Sequence, residues 1–281
     1  MNSICPLCDD TGWKPIEEAG VRRVVRCDCR REQATRQRLV DAKIPRRYHH
    51  CTLRNFEAYN DSLARAVDYA SRIVEGFPVF ERGILFIGQP GVGKTHLAVA
   101  ILKEAIQTCG RGLFFTMSDL MNLLRSTYSA EEKRTESQVL RSVNDADVLL
   151  LDELGRERMT EWRDEMLHLI VNTRYSERRM TIFTTNFDLG DIDDPEALQC
   201  RVGLRVYSRL TEMCEILHLD GADYRERPLN ASPDDLVAMW KMRKKPALPA
   251  RAGRQARAQL REPAARDGKA DLKWPGGRAG S

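Results

Sequence analysis

The stretch GQPGVGKT, residues 88–95, decides the fold class of this chain. It satisfies the pattern G-x-x-x-x-G-K-[ST]. An apolar run, GILFIG at 83–88, leads into it, and a helical run, THLAVAILKEAIQTC at 95–109, follows it. Glycines let the backbone wrap phosphates with its amides at a helix N-terminus, where the helix dipole favours anions. The stretch therefore predicts a phosphate-binding loop between a buried strand and a helix.

The loop residues supply the contacts that a nucleotide needs. The ammonium of Lys94 can reach the β and γ phosphates, and the hydroxyl of Thr95 can ligate Mg²⁺. ATP and Mg²⁺ are therefore the expected cofactors. The predicted nucleotide-binding residues are Gly88, Gln89, Pro90, Gly91, Val92, Gly93, Lys94, Thr95 and Asp152.

Two later apolar runs end in polar side chains suited to the same site. The run DVLLLDE ends in two carboxylates: Asp152 is placed to hold magnesium through water, and Glu153 can polarise a water for attack on the γ-phosphate. The run TIFTTN also turns polar at its end. Ligands of open parallel sheets sit at the carboxyl ends of the strands, so Thr185 and Asn186 are expected to face the γ-phosphate.

The alternation of apolar runs and helical patterns predicts the architecture. GLFFTM and CEILHLD complete a set of five buried-strand candidates separated by helices. This pattern predicts an α/β fold, a three-layer sandwich with a parallel five-stranded sheet and helices on both faces. Ser118 is the expected N-cap of the helix SDLMNLLRSTY. Further helices are expected over residues 31–44 and from Asp61 to about Glu75.

A row of arginines follows these runs. RVGLRVYSRLTEM, residues 201–213, carries Arg201, Arg205 and Arg209 four residues apart. At 3.6 residues per helical turn this spacing predicts one shared helical face. Taken alone, the row is either a solvated basic stripe or a surface that meets an anion.

The succession of P-loop, acid pair, polar strand end and arginines resembles the AAA+ ATPases. The resemblance implies assembly into rings or spirals, in which an arginine of one subunit completes the ATP site of its neighbour. Arg209, in YSRL, matches that arginine; Arg205 is the second candidate, and Arg201 is expected to pair with acids of the adjacent subunit. Arg225, in DGADYRER, matches the position called sensor 2, which acts within its own subunit. The predicted catalytic residues are Lys94, Asp152, Glu153, Asn186, Arg209 and Arg225.

Half of the eight cysteines stand in the first thirty residues. They are Cys5, Cys8, Cys27 and Cys29. They form a C-x₂-C pair and a C-x-C pair in a segment too small to bury a core, which suits a tetrahedral structural Zn²⁺. The alternatives are a redox pair, or a chance cluster in which His49 or His50 completes a different site.

Taken together, these motifs resemble the bacterial replicative helicase loaders of the DnaC/DnaI type. The residues that carry the resemblance are the cysteine pairs, the connector IPRRYHHCTLRNF and the motifs GQPGVGKTHLAVA, LLLDELG, TTNFD and YSRL, within residues 1–228. The resemblance implies a loader whose N-terminal domain binds the hexameric helicase. It also implies an ATPase domain that self-associates, contacts single-stranded DNA and hydrolyses ATP during helicase loading in DNA replication.

Three questions stay open at this point. The family's DNA contacts are attributed to a helical insertion after the second strand, where Arg125, Lys133, Arg134 and Arg141 either meet phosphates or form a solvated face. The related IstB proteins are ATPase helpers of DNA transposases, which gives a second candidate function. A zinc-dependent adaptor that uses ATP only as a switch is a third.

Composition and charge divide the chain into three regions. We expect a zinc-knuckle, partner-binding domain with a linker helix at 1–48, an AAA+ ATPase domain at 49–228 and a basic, disordered tail at 229–281. Residues 241–281 carry a net charge of +9 within a total of +4, which leaves −5 for the rest. No apolar run approaches the length of a membrane span, and the N-terminus lacks the form of a signal peptide. A cytoplasmic protein without membrane contact is therefore expected.

Overall fold

The apolar runs form the predicted parallel sheet in the computed structural model. The structure describes residues 5–18, 20–79, 82–108, 110–129, 134–157, 160–190, 193–228 and 232–242. The strands are β1 (Trp13–Glu18), β2 (Val21–Arg26), β3 (Gly83–Gly88), β4 (Gly112–Thr116), β5 (Val148–Asp152), β6 (Met180–Thr185) and β7 (Cys214–Leu219). Five of them make one sheet in the order β4-β5-β6-β3-β7, with every neighbouring pair parallel.

Helices connect these strands and cover the sheet. They are α1 (Asp28–Asp41), α2 (Asp61–Gly76), α3 (Lys94–Thr108), α4 (Met117–Ser126), α5 (Glu136–Asn144), α6 (Glu161–Ser176), α7 (Leu198–Val202), α8 (Leu204–Met213) and α9 (Pro233–Met242). The prediction of Ser118 as an N-cap is wrong. Thr116 holds that position, because β4 runs directly into α4 and the extended backbone of Thr116 lets its side chain accept from the Asp119 amide at 3.0 Å.

Each strand buries its two faces in two different hydrophobic layers. Leu85 and Ile87 of β3 join a core with α4, α5, α6 and α8, whereas Ile84 and Phe86 of the same strand join a core with α2 and α3. All four side chains are fully buried. Because successive side chains of a strand point to opposite faces, a continuous apolar run needs a helical layer on each side. The three-layer sandwich is therefore confirmed.

The arginine row does not form one helical face. Helix α7 ends at Val202, and Gly203 takes a left-handed backbone conformation with φ of 76° before α8 begins. Only glycine adopts that conformation without steric cost, so the chain changes direction between the two helices. Arg205 and Arg209 share α8, whereas Arg201 belongs to α7 and pairs with Glu196 at 2.9 Å. The prediction of a shared face is wrong for Arg201.

The two terminal regions carry structure that the sequence pattern did not indicate. An antiparallel hairpin of β1 and β2 stands between the two cysteine pairs, and the helix expected over 31–44 begins earlier, as α1. Helix α9 lies inside the segment predicted to be disordered from residue 229, and its Leu236 is fully buried. The prediction of disorder is therefore wrong for Pro233–Met242. The rest of the tail, 243–281, lies outside the described residues, and no described helix is long and apolar enough to cross a membrane.

A fully buried arginine fixes the amino ends of β5 and β6. The side chain of Arg174, in α6, is completely buried. It donates to the Thr181 hydroxyl and to the carbonyl oxygens of Val143, Asn144, Ala146 and Met180, at 2.6–3.1 Å. Burial lowers its pKa to about 9, so the charge is held by aligned carbonyl dipoles rather than by a carboxylate. One side chain thereby joins the end of α5 to the starts of two strands.

Replacing Arg174 should destabilise the fold severely. Arg174→Leu leaves buried carbonyl oxygens without donors, for which we expect a loss of roughly 3–5 kcal/mol of unfolding free energy in urea titrations. The matched control is Arg65→Ala on the exposed face of α2, where a change within about 0.5 kcal/mol is expected. An Arg174→Leu protein as stable as the control would show that these bonds contribute little.

Candidate nucleotide site

The P-loop turns tightly between β3 and α3 and leaves no room for side chains. Gly91 and Gly93 have φ of 79° and 106°, in the region that favours glycine. A Cβ on Gly91 would lie 1.7 Å from Oδ1 of Asp223, and one on Gly93 would lie 2.6 Å from the Phe56 ring. The loop is therefore enclosed by the segment after β7 on one side and by the connector before α2 on the other.

Lys94 is a buried cation at the centre of the loop. The residue is only 7% exposed. Its ammonium donates to the carbonyl oxygens of Gly88 at 2.7 Å and Gln89 at 2.8 Å. Burial lowers its pKa to about 8, against the opposing pull of the Asp152 carboxylate. A desolvated ammonium in this position favours a polyanionic ligand, because such a ligand restores the lost stabilisation of the charge.

Asp152 lies at the carboxyl end of β5 and is held by two hydroxyls. Thr95 donates to its Oδ1 at 2.9 Å, and Thr184 donates to the same oxygen at 2.5 Å. Burial raises the pKa of Asp152, while both hydrogen bonds lower it. Thr95 and Asp152, the two residues predicted to hold magnesium, are therefore in direct contact.

Thr184 replaces Thr185 as the polar residue of β6 that faces the site. The hydroxyl of Thr185 turns to the other face and donates to the Leu154 carbonyl at 2.8 Å. The Thr184 hydroxyl also accepts from the Glu153 amide at 3.1 Å. Adjacent strand residues point to opposite faces, so only one of two neighbouring threonines can reach Asp152. The expectation that Thr185 faces the site is therefore wrong, and the preceding residue, Thr184, takes that position.

Glu153 adopts a backbone conformation that is uncommon for a glutamate. Its φ is 60°, and its carboxylate pairs with Arg156 three residues later at 2.5 Å. A left-handed conformation costs a residue with a Cβ about 1–2 kcal/mol, and such residues are concentrated at functional sites. The turn places Glu153 beside Lys94 and Asn186 on the wall of one cavity.

This cavity has a volume of about 640 Å³, within the range of ligand sites. One wall consists of the P-loop with Glu153, Thr184 and Asn186. The connector before α2 also lines the cavity and contributes Tyr48, His50 and Phe56 among others. The connector wall was not assigned to the site from sequence, although its string of aromatic and histidine residues was a signal for it.

Arg225 closes the cavity from the segment that follows β7. It lies in a single 3₁₀ turn, Tyr224–Glu226, and its amide donates to the Asp223 side chain at 2.9 Å. The Tyr224 amide donates to the Gly91 carbonyl at 3.0 Å, which ties this turn to the P-loop. The structure thus places Arg225 on the wall of the cavity that holds Lys94, and its role as sensor 2 stays a prediction.

The four N-terminal cysteines lie together at the base of the hairpin. Their sulfurs are all within 4.8 Å of one another, with 3.8 Å between Cys5 and Cys27 and 3.3 Å between Cys8 and Cys29. Zn–S bonds of about 2.3 Å place tetrahedral sulfurs about 3.8 Å apart. The donor set and its spacing therefore fit a structural Zn²⁺ that has no open coordination position.

Comparison with known proteins places the chain in a family. Residues 17–232 match the family model described as IstB-like ATP binding protein. The chain belongs to this ATP-binding family. The match begins within β1 and extends past the 3₁₀ turn Tyr224–Glu226, so it includes every element that lines the cavity.

Relatives of this IstB-like chain include curated helicase loaders. The replicative helicase loader DnaC of Buchnera aphidicola subsp. Schizaphis graminum is 30% identical over 141 residues, which are 50% of this chain and 57% of that protein. DnaC of Escherichia coli K12 is 28% identical over 163 residues, 58% of this chain and 64% of that protein. The chain thus spans less than two thirds of the length of these relatives.

Solved structures agree with the fold. The crystal structure of the DnaC helicase loader has a TM-score of 0.56 at 35% identity, covering 62% of this chain and 99% of that one. The replication initiator DnaA bound to AMPPCP and single-stranded DNA has a TM-score of 0.53 at 21% identity, covering 63% and 51%, which supports the fold alone. The chain is an AAA+ P-loop sandwich of the DnaC type.

In this AAA+ domain, Arg209 lies away from the cavity of its own chain. Its Nε donates to Asn172 Oδ1 and its Nη1 to the Arg205 carbonyl, both at 2.9 Å. The guanidinium also lies over the Tyr175 ring, 5.9 Å from its centroid. Arg209 is therefore not brought to Lys94 within one subunit, whereas the other predicted catalytic residues, Asp152, Glu153, Asn186 and Arg225, are.

The depressed pKa of Lys94 predicts how ATP affinity depends on pH. A bound triphosphate favours the ammonium, so binding above the free-protein pKa of about 8 requires proton uptake. We expect nearly constant affinity below pH 8 and a fall of up to about tenfold per pH unit above it, measured by fluorescent-nucleotide titration. Lys94→Ala should bind roughly 100-fold more weakly and lose this fall. If Lys94→Ala bound ATP with unchanged affinity, Lys94 would not be a phosphate-binding residue.

Proposed function

We propose that this chain is an ATP-dependent loader of the replicative DNA helicase. The observation that carries the proposal is the similarity to the DnaC helicase loader structure, at 35% identity over 99% of that chain. In this proposal the residues that line the cavity of the AAA+ domain would carry out ATP hydrolysis. In this proposal the chain binds the hexameric helicase and single-stranded DNA and hydrolyses ATP while the helicase is deposited or released during DNA replication.

Within the cavity, the P-loop amides and the Lys94 ammonium would hold the β and γ phosphates. Thr95 and Asp152 would hold Mg²⁺, which neutralises charge on the phosphates when it is bound. Their existing contact at 2.9 Å holds the start of α3 against the carboxyl end of β5. A buried carboxylate that already accepts two hydrogen bonds needs little reorganisation to meet a hydrated cation.

Glu153 is the proposed general base for the attacking water. Its ion pair with Arg156 engages the carboxylate, so the base acts once that contact opens. Asn186 follows the end of β6 on the same wall and can hydrogen-bond the phosphate or the water. Arg225, from the opposite side, would stabilise negative charge within the same subunit.

Arg209 is the proposed arginine that completes the ATP site of a neighbouring subunit. Its contacts with Asn172 and Tyr175 hold the guanidinium on the surface of α6 and α8, away from its own cavity. A charge delivered from another subunit makes hydrolysis dependent on assembly. Such arginines contribute about 10³-fold or more to phosphoryl transfer.

Mixing two inactive variants tests this assignment. Arg209→Ala should retain ATP affinity but lose turnover by a factor of about 10³, and Glu153→Gln should do the same. Mixed assemblies contain some interfaces with an intact glutamate facing an intact arginine, so part of the ATPase rate should return. As control, Arg209→Ala mixed with Arg209→Lys should recover no more than the two give alone. A Glu153→Gln mixture that never exceeds that control would place Arg209 in another role.

Two aromatic side chains beside the first helix after β4 form a candidate surface for single-stranded DNA. Tyr128 is 65% exposed and meets the Trp162 ring at a centroid distance of 6.5 Å and an interplanar angle of 67°. The Arg125 guanidinium lies 5.4 Å from the centre of the same tryptophan ring. Aromatic rings next to a cation stack bases and hold the backbone irrespective of sequence. Of the basic residues predicted in this region, Lys133 lies outside the described residues.

Substitution of Tyr128 separates stacking from hydrogen bonding on this surface. Its hydroxyl contacts Glu136 and the Trp162 indole nitrogen. Tyr128→Leu should weaken binding of a fluorescent oligo(dT) by about 1–3 kcal/mol, since stacking on an aromatic ring is lost. Tyr128→Phe keeps the ring and should bind nearly as well as the unaltered chain. Equal affinity for all three proteins would exclude this surface as a stacking platform.

The N-terminal module is the proposed contact with the helicase. Leu7, in the turn between Cys5 and Cys8, and Trp13 and Val24, on the hairpin, are each more than half exposed. Zinc, bound by the four cysteines, would fix the hairpin against α1, since few apolar side chains are buried in this segment.

A second candidate is a helper of a DNA transposase, the function that the resemblance to IstB implies, and the family model that matches this chain is described as IstB-like. Co-purification distinguishes the two, because each function requires a different stable partner. The full chain, tagged at its C-terminus, should retain the replicative helicase of its host in the presence of ATP and release it when Leu7 and Val24 are both changed to Ser. Retention of transposase with no helicase would support the helper, and binding without any DNA-stimulated ATP turnover would support an adaptor that uses ATP only as a switch.

A further inference from the structure

A second cluster of metal-binding side chains lies on the connector wall of the nucleotide cavity. One ligand atom each from His50, Cys51 and His96 lies within 4.8 Å of the others. The Cys51 sulfur is 3.9 Å from Nε2 of His50, and the His50 and His96 rings meet edge to face at a centroid distance of 6.1 Å. These residues come from two separate segments, the connector before α2 and the first turn of α3. Folding alone therefore brings them together.

The surrounding hydrogen bonds hold the backbone of the connector in place. Asn55 donates to the His50 carbonyl at 2.8 Å, and its Oδ1 accepts from the Thr52 amide at 2.9 Å. The Lys103 ammonium donates to the Cys51 carbonyl, also at 2.8 Å. These contacts fix the backbone that carries His50 and Cys51 before any ion arrives, which lowers the cost of ordering a site.

The hydrogen bond of His96 also suits metal binding. Its Nε2 lies 2.9 Å from the Thr52 carbonyl, so in the tautomer that donates to this oxygen the Nδ1 atom carries the lone pair. Histidine ligands in metal sites usually donate their other ring nitrogen to a carbonyl or carboxylate in this way. His96 has no other role in the proposed chemistry, since the neighbouring Lys94 and Thr95 provide the phosphate and magnesium contacts.

We propose that His50, Cys51 and His96 form a second site for a zinc-class divalent transition ion. Two imidazoles and one thiolate are typical ligands of Zn²⁺ and of Co²⁺, which replaces it. Bonds of about 2.0–2.3 Å require the ligand atoms to approach within about 3.5 Å of each other. His50 is exposed and can close that gap by side-chain rotation. All three residues line the nucleotide cavity, so the fourth coordination position is left for water or for a nitrogen of a bound ligand.

This site differs from the cysteine cluster in a way that spectroscopy can detect. The N-terminal cluster offers four thiolates, whereas the site in the cavity offers one. Thiolate-to-cobalt charge-transfer absorption increases with the number of bound thiolates. Two kinds of bound Co²⁺ with different intensities in this absorption are therefore expected in the intact chain.

Cobalt titration of the metal-free full chain tests the inference without any measurement of activity. We expect two equivalents of Co²⁺, of which one is lost in His50→Gln and also in Cys51→Ala. The matched control is His49→Gln, because His49 is the adjacent exposed histidine and its ring contacts the Ile44 carbonyl instead. It should retain both equivalents. Cys5→Ser should lose only the equivalent with the stronger charge-transfer band.

The exposed position of His50 keeps the test decisive even if Cys51→Ala fails to fold. His50→Gln that binds as much Co²⁺ as His49→Gln overturns the inference, whether the chain holds one ion or none. The inference is supported if His50→Gln loses one equivalent of Co²⁺ and His49→Gln does not. The result does not depend on the proposed loader function, since a transposase helper or an adaptor with this sequence would carry the same three ligands.

Discussion

The nucleotide site depends on the hydrogen bonds that hold the buried carboxylate of Asp152. Thr95 of α3 and Thr184 of β6 both donate to one of its oxygens, which joins β5, β6 and the helix that follows the P-loop. An ionised carboxylate away from water is costly unless such donors surround it. The same two threonines therefore stabilise the charge and fix where a magnesium-bound triphosphate could lie. Lys94, itself buried beside this carboxylate, adds the complementary positive charge.

Buried charged groups hold both ends of the central strands. At the carboxyl ends of β5 and β6, Asp152 is bound by hydroxyls, and at their amino ends Arg174 is bound by carbonyl oxygens. Each group is hydrogen-bonded to residues of these strands or to segments next to them, so the strands are held near both of their ends. The left-handed turn at Glu153 comes directly after this restrained region. A rigid sheet is what allows one uncommon backbone conformation to persist beside the cavity.

The connector before α2 joins several functions in few residues. It lines the nucleotide cavity, it brings Phe56 against Gly93 of the P-loop, and it carries His50 and Cys51 beside His96. Its role could not be derived from periodicity, because it contains neither a strand nor an α-helix within residues 49–59. The aromatic and histidine residues in this segment become meaningful only when α3 is packed against them.

The sequence by itself determined the five-stranded sheet, the P-loop, the acid pair and the two cysteine pairs, because each rests on local periodicity or on residues close together in the chain. Tertiary structure alone decided that Thr184, not Thr185, meets Asp152, since strand register selects the face. It also separated Arg201 from Arg205 at Gly203 and showed that Leu236 of α9 is buried in a region with a tail-like composition. These outcomes depend on contacts between distant segments, and the free energy of such contacts is not encoded in any single stretch of the chain.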